Sequence, residues 1–337
     1  MIAVVLSAVI FAVDEDDIYG VVTRGAGDVL PGLPFGELDA EGEPRLEQQL
    51  RQLVRVQTGF DPPYAEQLYT FGDRGRDLPL VALAGDAPNA RILSVGYMAL
   101  AKTRAPLEEA RASWRGVYEF FPWEDWREGR PAFIDNVIAK RLKAWAESGG
   151  EGRERWTRAC VEFGFEGAGW NEERALQRYE LLYEAGLVFE AVRDRAKLSR
   201  KAAPEADHLD VFGQPMESDG RRVLATGLSR IRAKIKYRPI IFDVVPAEFT
   251  LRLLQKLVES IAGLTLHQSN FRRLLKRTGL VTQTNKYDGS AGGRPAMLYR
   301  VAQEALSQRP IGGINVPAPR GGPGDRPPRA ARYRKTT

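Results

Sequence analysis

The 337-residue sequence predicts an α+β protein of several domains: an N-terminal α/β/α sandwich, a helical middle region and a C-terminal helix–turn–helix with a trailing hairpin. Three observations predict it. Val- and Ile-rich runs and amphipathic stretches follow one another through the first 147 residues in the order strands, helix, strands, helix. Between Thr250 and Val301 two amphipathic stretches, each ended by a glycine, are followed by two strand-like runs. Charge is divided unevenly, with a net −7 over residues 1–150, −2 over 151–230, +9 over 231–300 and +5 over 301–337. The basic character thus lies wholly in the last third, which points to a polyanionic partner for that part alone.

The first run, MIAVVLSAVIFAV, lacks a basic leader and passes straight into DEDD, so it predicts a buried strand rather than a cleaved signal. With IYGVVTR (18–24) it forms a hairpin around the acidic turn. No apolar run approaches the roughly 20 residues of a membrane span, and a cytoplasmic location is expected. A glycine- and proline-rich loop leads to RLEQQLRQLVRVQTGF, whose Leu46, Leu50, Leu53 and Val54 keep helical spacing and whose Gly59 closes the helix. Strands are expected at Gln67–Phe71, at ILSVGYMALA (92–101) and at Val117–Trp123, then a helix over 132–147.

The stretch LPGLPFGELDAEGEPRLEQQLRQLVRVQTGF resembles the Nudix box, the glycine loop and helix that hold metal in that hydrolase family. Its framing is present and its chemistry is not. Counting back from Gly59, the family's arginine–glutamate pair falls on Gln52 and Leu53, and its metal-binding glutamate pair on Val56 and Gln57. Hydrolysis of a pyrophosphate at Mg²⁺ needs several converging carboxylates. Glu41, Glu43 and Glu47 nearby read as solvated loop and first-turn acids, so little or no hydrolase activity is expected. Cys160 is the sole cysteine and His208 and His267 the only histidines, so no metal site and no required cofactor are expected either.

A domain without catalytic acids can still bind a ligand. FGDRGRD (71–77) offers Arg74 and Arg76 on a glycine-punctuated loop, with Tyr69 and Tyr97 as stacking rings, a set suited to a nucleotide-sugar pyrophosphate such as ADP-ribose. Residues 148–221 read as a helical segment and linker, with Asn171 capping a helix that Gly186 follows. There LLYEAGLV (181–188) echoes LLKRTGLV (274–281), a helix, a glycine and a strand, with acids where the later copy has bases. Val223, Leu224, Leu228, Ile231 and Ile235 then mark a helix from Arg222 to Tyr237 that connects the two ends of the molecule or packs a dimer.

The C-terminal module occupies 222–302. RPIIFDVVP (238–246) reads as a strand, and Thr250 caps a helix with Leu251, Leu254, Leu257, Val258 and Ile261 on one stripe, ended by Gly263. The helix His267–Thr278 puts Phe271, Leu274 and Leu275 on one side and Arg272, Arg273, Lys276 and Arg277 on the other. LVTQTNK and AMLYRV, joined through GGRP, complete a winged helix-turn-helix. In such a module the second helix enters the major groove. Ser269, Asn270, Arg272 and Arg273 are therefore the candidate base or groove readers, Lys276, Arg277 and Lys286 the phosphate contacts, and Arg294 a minor-groove contact from the wing. Residues 303–337, rich in Pro, Gly and Arg, predict a disordered basic tail.

A degenerate Nudix-like domain (1–147) followed by YRPIIFDVVP, NFRRLL and GGRPAMLYR resembles the Nudix-related transcriptional regulators of NAD metabolism. The resemblance covers about residues 1–145 and 222–302. It implies a homodimeric repressor that binds a palindromic operator and is released by an NAD-related metabolite such as ADP-ribose. Two other readings stay open on the sequence: a Nudix hydrolase with a nucleic-acid-binding appendage, and a noncatalytic protein whose basic module contacts RNA or an acidic protein.

Overall fold

The structure, a computed structural model, describes residues 2–24, 30–39, 41–42, 45–62, 65–73, 76, 91–107, 112–199, 210–237, 240–289 and 295–302. The N-terminal half is built on β1 (Ile2–Val13), β2 (Ile18–Thr23), β3 (Phe35–Glu37), β4 (Ala65–Phe71), β5 (Arg91–Ala101) and β6 (Ala112–Gly116), in the order β4-β5-β1-β2-β6. β1 and β5 run parallel from Ile2↔Arg91 to Ala12↔Ala101. The other edge of β1 is shared: Val5–Ser7 pair with β3 and Phe11–Val13 with β2. From Val5 to Val13 the strand is buried throughout, as expected of a central strand covered on both faces.

One cover is α1 (Leu46–Thr58), which sets Leu50 and Val54 against Leu6, Ala8 and Ile10 and ends at Gly59 in the left-handed region, φ 72°. The other comes from far along the chain. Helix α7 (Gly220–Tyr237) lies across the opposite face, where Val223, Leu224 and Leu228 join Val9 and Phe11 in the large core. The close approach needs a glycine, because a Cβ on Gly227 would sit 3.1 Å from both Val9 and Phe11. α7 is thus the second helical layer of the sandwich and also packs on the C-terminal module.

Four helices fill the middle: α3 (Ala139–Glu147), α4 (Gly152–Phe163), α5 (Ala175–Glu184) and α6 (Phe189–Leu198). Asn171 opens this region's second half as expected, its side chain accepting from the Glu173 amide at 3.0 Å. The C-terminal module comprises β7 (Phe249–Thr250), α8 (Leu251–Ala262), α9 (Gln268–Thr278), β8 (Val281–Asp288) and β9 (Ala296–Val301), its sheet ordered β7-β9-β8. The α/β/α sandwich, helical middle and winged helix-turn-helix expected from the sequence are all present. No helix of the described residues is long and apolar enough to cross a membrane.

Three elements differ from expectation. The strand expected at Val117–Trp123 is the short helix α2 (Val117–Phe120) followed by a 3-10 turn, Pro122–Glu124. Val117, Phe120, Phe121 and Trp123 are all fully buried, and surroundings that are apolar on every side erase the period that separates strand from helix. The strand expected over 238–246 is a 3-10 turn at Ile240–Asp243. After Gly186 the chain enters α6 rather than a strand, so the echo between 181–188 and 274–281 ends at the glycine. His208, Arg74, Glu43, Arg294 and the basic tail lie outside the described residues.

Candidate nucleic-acid interface and loop face of the sandwich

α8 is secured at both ends. The Thr250 hydroxyl accepts from the Leu253 amide at 3.1 Å, and Gly263 leaves the helix with φ 67°. The turn into α9 is braced by Glu259, which is buried. Its Oε1 accepts from the Leu266 amide at 2.8 Å and the Gln255 side chain at 2.9 Å, and its Oε2 from Lys256 at 2.9 Å. Burial works against the ionised carboxylate, but these donors outweigh it and hold Glu259 below the usual glutamate range. α9 then buries Phe271 and Leu275, with Leu274 half-buried, and presents Ser269, Asn270, Arg272, Arg273, Lys276 and Arg277 to solvent.

Two of the expected readers are partly organised within the helix. Arg273 Nη2 donates to Asn270 Oδ1 at 2.8 Å, and Ser269 Oγ lies 3.0 Å from His267 Nδ1. Arg272, Lys276 and Arg277 have no ion-pair partner among the described residues. Lys286 has one: its Nζ lies 2.9 Å from Glu248. It stands beside Asn285, whose φ of 60° marks an irregularity in β8 between Gln283 and Tyr287. The structure thus brings six of the eight expected DNA contacts onto the exposed side of one helix and a seventh onto the hairpin.

The loop face of the sandwich is organised differently from expectation. Gln49, Leu53 and Gln57 stand at intervals of four along α1 and form one stripe. Chain 35–39 runs along that stripe in the opposite direction. Gln57 Nε2 donates to the Phe35 carbonyl at 2.6 Å while its Oε1 accepts from the Phe35 amide at 3.1 Å. Gln49 does the same to Asp39, at 2.8 and 3.0 Å. Between them Leu53 packs so tightly on Gly36 that a Cβ there would come within 2.2 Å of it. Val56 points to solvent, 66% exposed. Positions 53 and 57, where the resemblance would place acids, serve here to fasten the loop. The spacing of Gln49, Leu53 and Gln57 at intervals of four was visible in the sequence, but their partners were not.

Arg74 lies outside the described residues, and the other three expected ligand residues are not gathered in one place. Tyr69 is 62% exposed on the edge strand β4, its ring 5.5 Å from Phe71 in an edge-on arrangement. Tyr97 is buried in the core beneath α1, where burial and the nearby Glu47 raise its hydroxyl above the usual tyrosine pKa. Arg76 is engaged elsewhere: both terminal nitrogens donate to Glu180 of α5, at 2.9 and 3.0 Å, and its guanidinium stacks 3.5 Å from the Tyr183 ring centre. Its loop is also tied to α7 through Asp73 and Arg222, 2.7 Å apart.

Residues 241–301 match the family model described as the NrtR DNA-binding winged helix domain, and the C-terminal module is a winged helix of that type. A curated relative, the ADPR responsive transcriptional repressor NtrR of Acinetobacter baylyi, is 36% identical over 84 residues, which are 25% of this chain and 33% of that protein. The chain therefore spans about a third of the length of the curated relative it matches. Among solved structures, Shewanella oneidensis NrtR complexed with a 27mer DNA aligns over 90% of this chain and 95% of that one, at 18% identity and a TM-score of 0.49. The NUDIX domain of the same protein complexed with ADP ribose aligns over 46% of this chain and 88% of that one, at 21% identity and a TM-score of 0.30.

Proposed function

We propose that this chain is a metabolite-responsive transcriptional repressor. Its winged helix reads double-stranded DNA as part of a homodimer on a palindromic operator. Its N-terminal sandwich binds an ADP-ribose-like nucleotide, needs no cofactor and does not hydrolyse what it binds. The observation that carries the reading is α9, where Phe271 and Leu275 anchor one side while six polar residues, four of them cationic, stand exposed on the other. This is the geometry a recognition helix needs to enter a major groove. The relative named as an ADPR responsive transcriptional repressor, and the winged-helix match, support a repressor that answers to an ADP-ribose-like nucleotide, and the family resemblance implies genes of NAD metabolism as its targets.

The sandwich as a binding rather than a hydrolysing domain is supported by α1. At the position of a metal-binding acid, Gln57 spends its amide on Phe35. A carboxamide carries no charge with which to neutralise Mg²⁺. Footprinting of the DNA upstream of the chain's own gene and its neighbours, with and without ADP-ribose, tests the proposal. A protected palindrome that opens on adding ADP-ribose supports it. Equal affinity for all duplexes, or Mg²⁺-dependent consumption of the nucleotide, refutes it.

A further inference from the structure

Three charged side chains meet where the sandwich, the middle helices and the winged helix join, and all three are fully buried: Glu124, Arg178 and Arg232. Glu124 ends the 3-10 turn after α2. It accepts from Arg178 of α5 through Nε at 2.5 Å and Nη2 at 2.8 Å, and from Arg232 Nη1 of α7 at 2.5 Å. Burial alone would drive Glu124 to its neutral form, but the two guanidiniums hold its carboxyl below the usual range. Two cations against one anion leave an excess positive charge in a dry site, which is costly unless other acceptors meet it.

The winged helix supplies acceptors. Arg232 Nε donates to the Ile261 carbonyl at 2.9 Å, and its Nη2 lies 3.2 Å from the Tyr118 hydroxyl. That hydroxyl donates to the Ser260 carbonyl at 2.7 Å. Ser260 and Ile261 belong to the last turn of α8, whose carbonyls form the negative end of its dipole. Gly263 follows with no room for a side chain: a Cβ would lie 2.2 Å from the Glu124 carbonyl oxygen and 2.9 Å from Arg232 Nη2. Its own carbonyl accepts from the Trp126 amide at 2.7 Å. Five residues later α9 begins. The end of α8 cannot leave this cluster without stranding two buried donors, Arg232 Nε and the Tyr118 hydroxyl, so the joint holds one angle instead of flexing.

We propose that Arg232 is a positioning residue for DNA reading, fixing the angle of the recognition helix α9 against the sandwich through the last turn of α8. The inference rests on the DNA-binding function proposed above. In a dimer that angle sets the distance between the two recognition helices. A palindrome demands a fixed half-site separation, so loss of the joint should appear as tolerance of wrong spacings. A residue that only held the protein together would change affinity for every spacing alike.

The test uses the full chain with Arg232→Gln, which leaves Glu124 paired to Arg178, and the milder Tyr118→Phe. Both are titrated with operators whose half-sites are moved together or apart by one or two base pairs, and with random duplex. Arg232→Gln should lose about tenfold on the native spacing, a coupling of ordinary size, while binding displaced half-sites and random duplex as the unaltered chain does. Tyr118→Phe should show the same pattern more weakly, and it carries the test if Arg232→Gln does not fold. In parallel, the Gly263 and Leu264 amides, which both bond to the Glu259 carbonyl, should exchange faster while those of β1 and β5 do not. Unchanged spacing preference in both variants, or exchange that rises evenly through the chain, overturns the proposal. If the unaltered chain binds no DNA at any spacing, the proposed function fails and the exchange pattern still decides whether the joint exists.

Discussion

Gln57 closes both hydrogen-bonding groups of its side chain on the backbone of one residue, Phe35, donating to the carbonyl at 2.6 Å and accepting from the amide at 3.1 Å. Gln57→Glu keeps the acceptor, loses the donor and faces a carboxylate against a carbonyl oxygen. The substitution should lower stability by about 1–3 kcal/mol, the cost of leaving a partly buried polar group unmet. It should not produce hydrolysis of ADP-ribose in excess Mg²⁺, because Val56 and Leu53 still supply no carboxylates. Thermal melts and chromatographic detection of AMP formed from ADP-ribose check the two halves separately, and turnover by the variant would refute the second.

On α9, Arg273→Ala should cost about 1–3 kcal/mol on the operator and relax base preference at one position. Asn270→Ala, which removes the 2.8 Å support of the Arg273 guanidinium, should relax the same position by less. Lys276→Ala should instead weaken binding to every sequence and reduce the salt slope by about one unit. Anisotropy titrations at two salt concentrations, on specific and random duplex, separate the three outcomes.

Lys286 is held by Glu248 on the exposed face of the hairpin. Exposed pairs of this kind contribute little to stability, about 0–1 kcal/mol, so Glu248→Gln should leave the melting temperature nearly unchanged. It should strengthen binding to random duplex, because it frees a lysine and removes an acid from the same surface, and it should steepen the salt dependence. A flat response in both measurements would remove Lys286 from the DNA-facing set.

Burial pushes the Asp219 carboxyl up to about 7, against the pull of Arg222 and Arg76. Burial likewise raises Asp17 to about 6, against Arg127. Between the unfolded and folded values the native state holds a proton that the unfolded chain has released. These two groups therefore take stability away as pH rises from about 4 towards 7. Asp219→Asn should remove the upper part of that slope and stabilise the chain at pH 7.5 relative to pH 5. Melting temperatures of both proteins across that range check the sign.

Elements set by local signals were legible in the sequence. α1 with Gly59, α8 with Thr250 and Gly263, and the two-sided α9 each carry their period and cap within about a dozen residues. What depends on distant chain was not. Arg76 on its glycine loop reads as a phosphate contact until Glu180, 104 residues away, takes both its terminal nitrogens. Arg232 sits among Leu228, Ile231 and Ile235 in an apolar stripe, yet its acceptors come from three separate stretches of chain, at 118–124, Glu172 and Ile261. The exposed polar side of α9 was therefore legible residue by residue, and the distant partners of Arg76 and Arg232 were not.

Because α7 roofs the sandwich while leading into the winged helix, a break at or before the start of this helix does not part the two halves cleanly. A fragment beginning at Arg222 would carry Val223, Leu224 and Leu228 with nothing to cover them, and one ending before Gly220 would leave Val9 and Phe11 bare. Either piece should clump rather than stand alone. Exchange of DNA-binding modules between relatives of this protein, in nature or at the bench, would have to break the chain after Tyr237, leaving the roof with the domain it shelters.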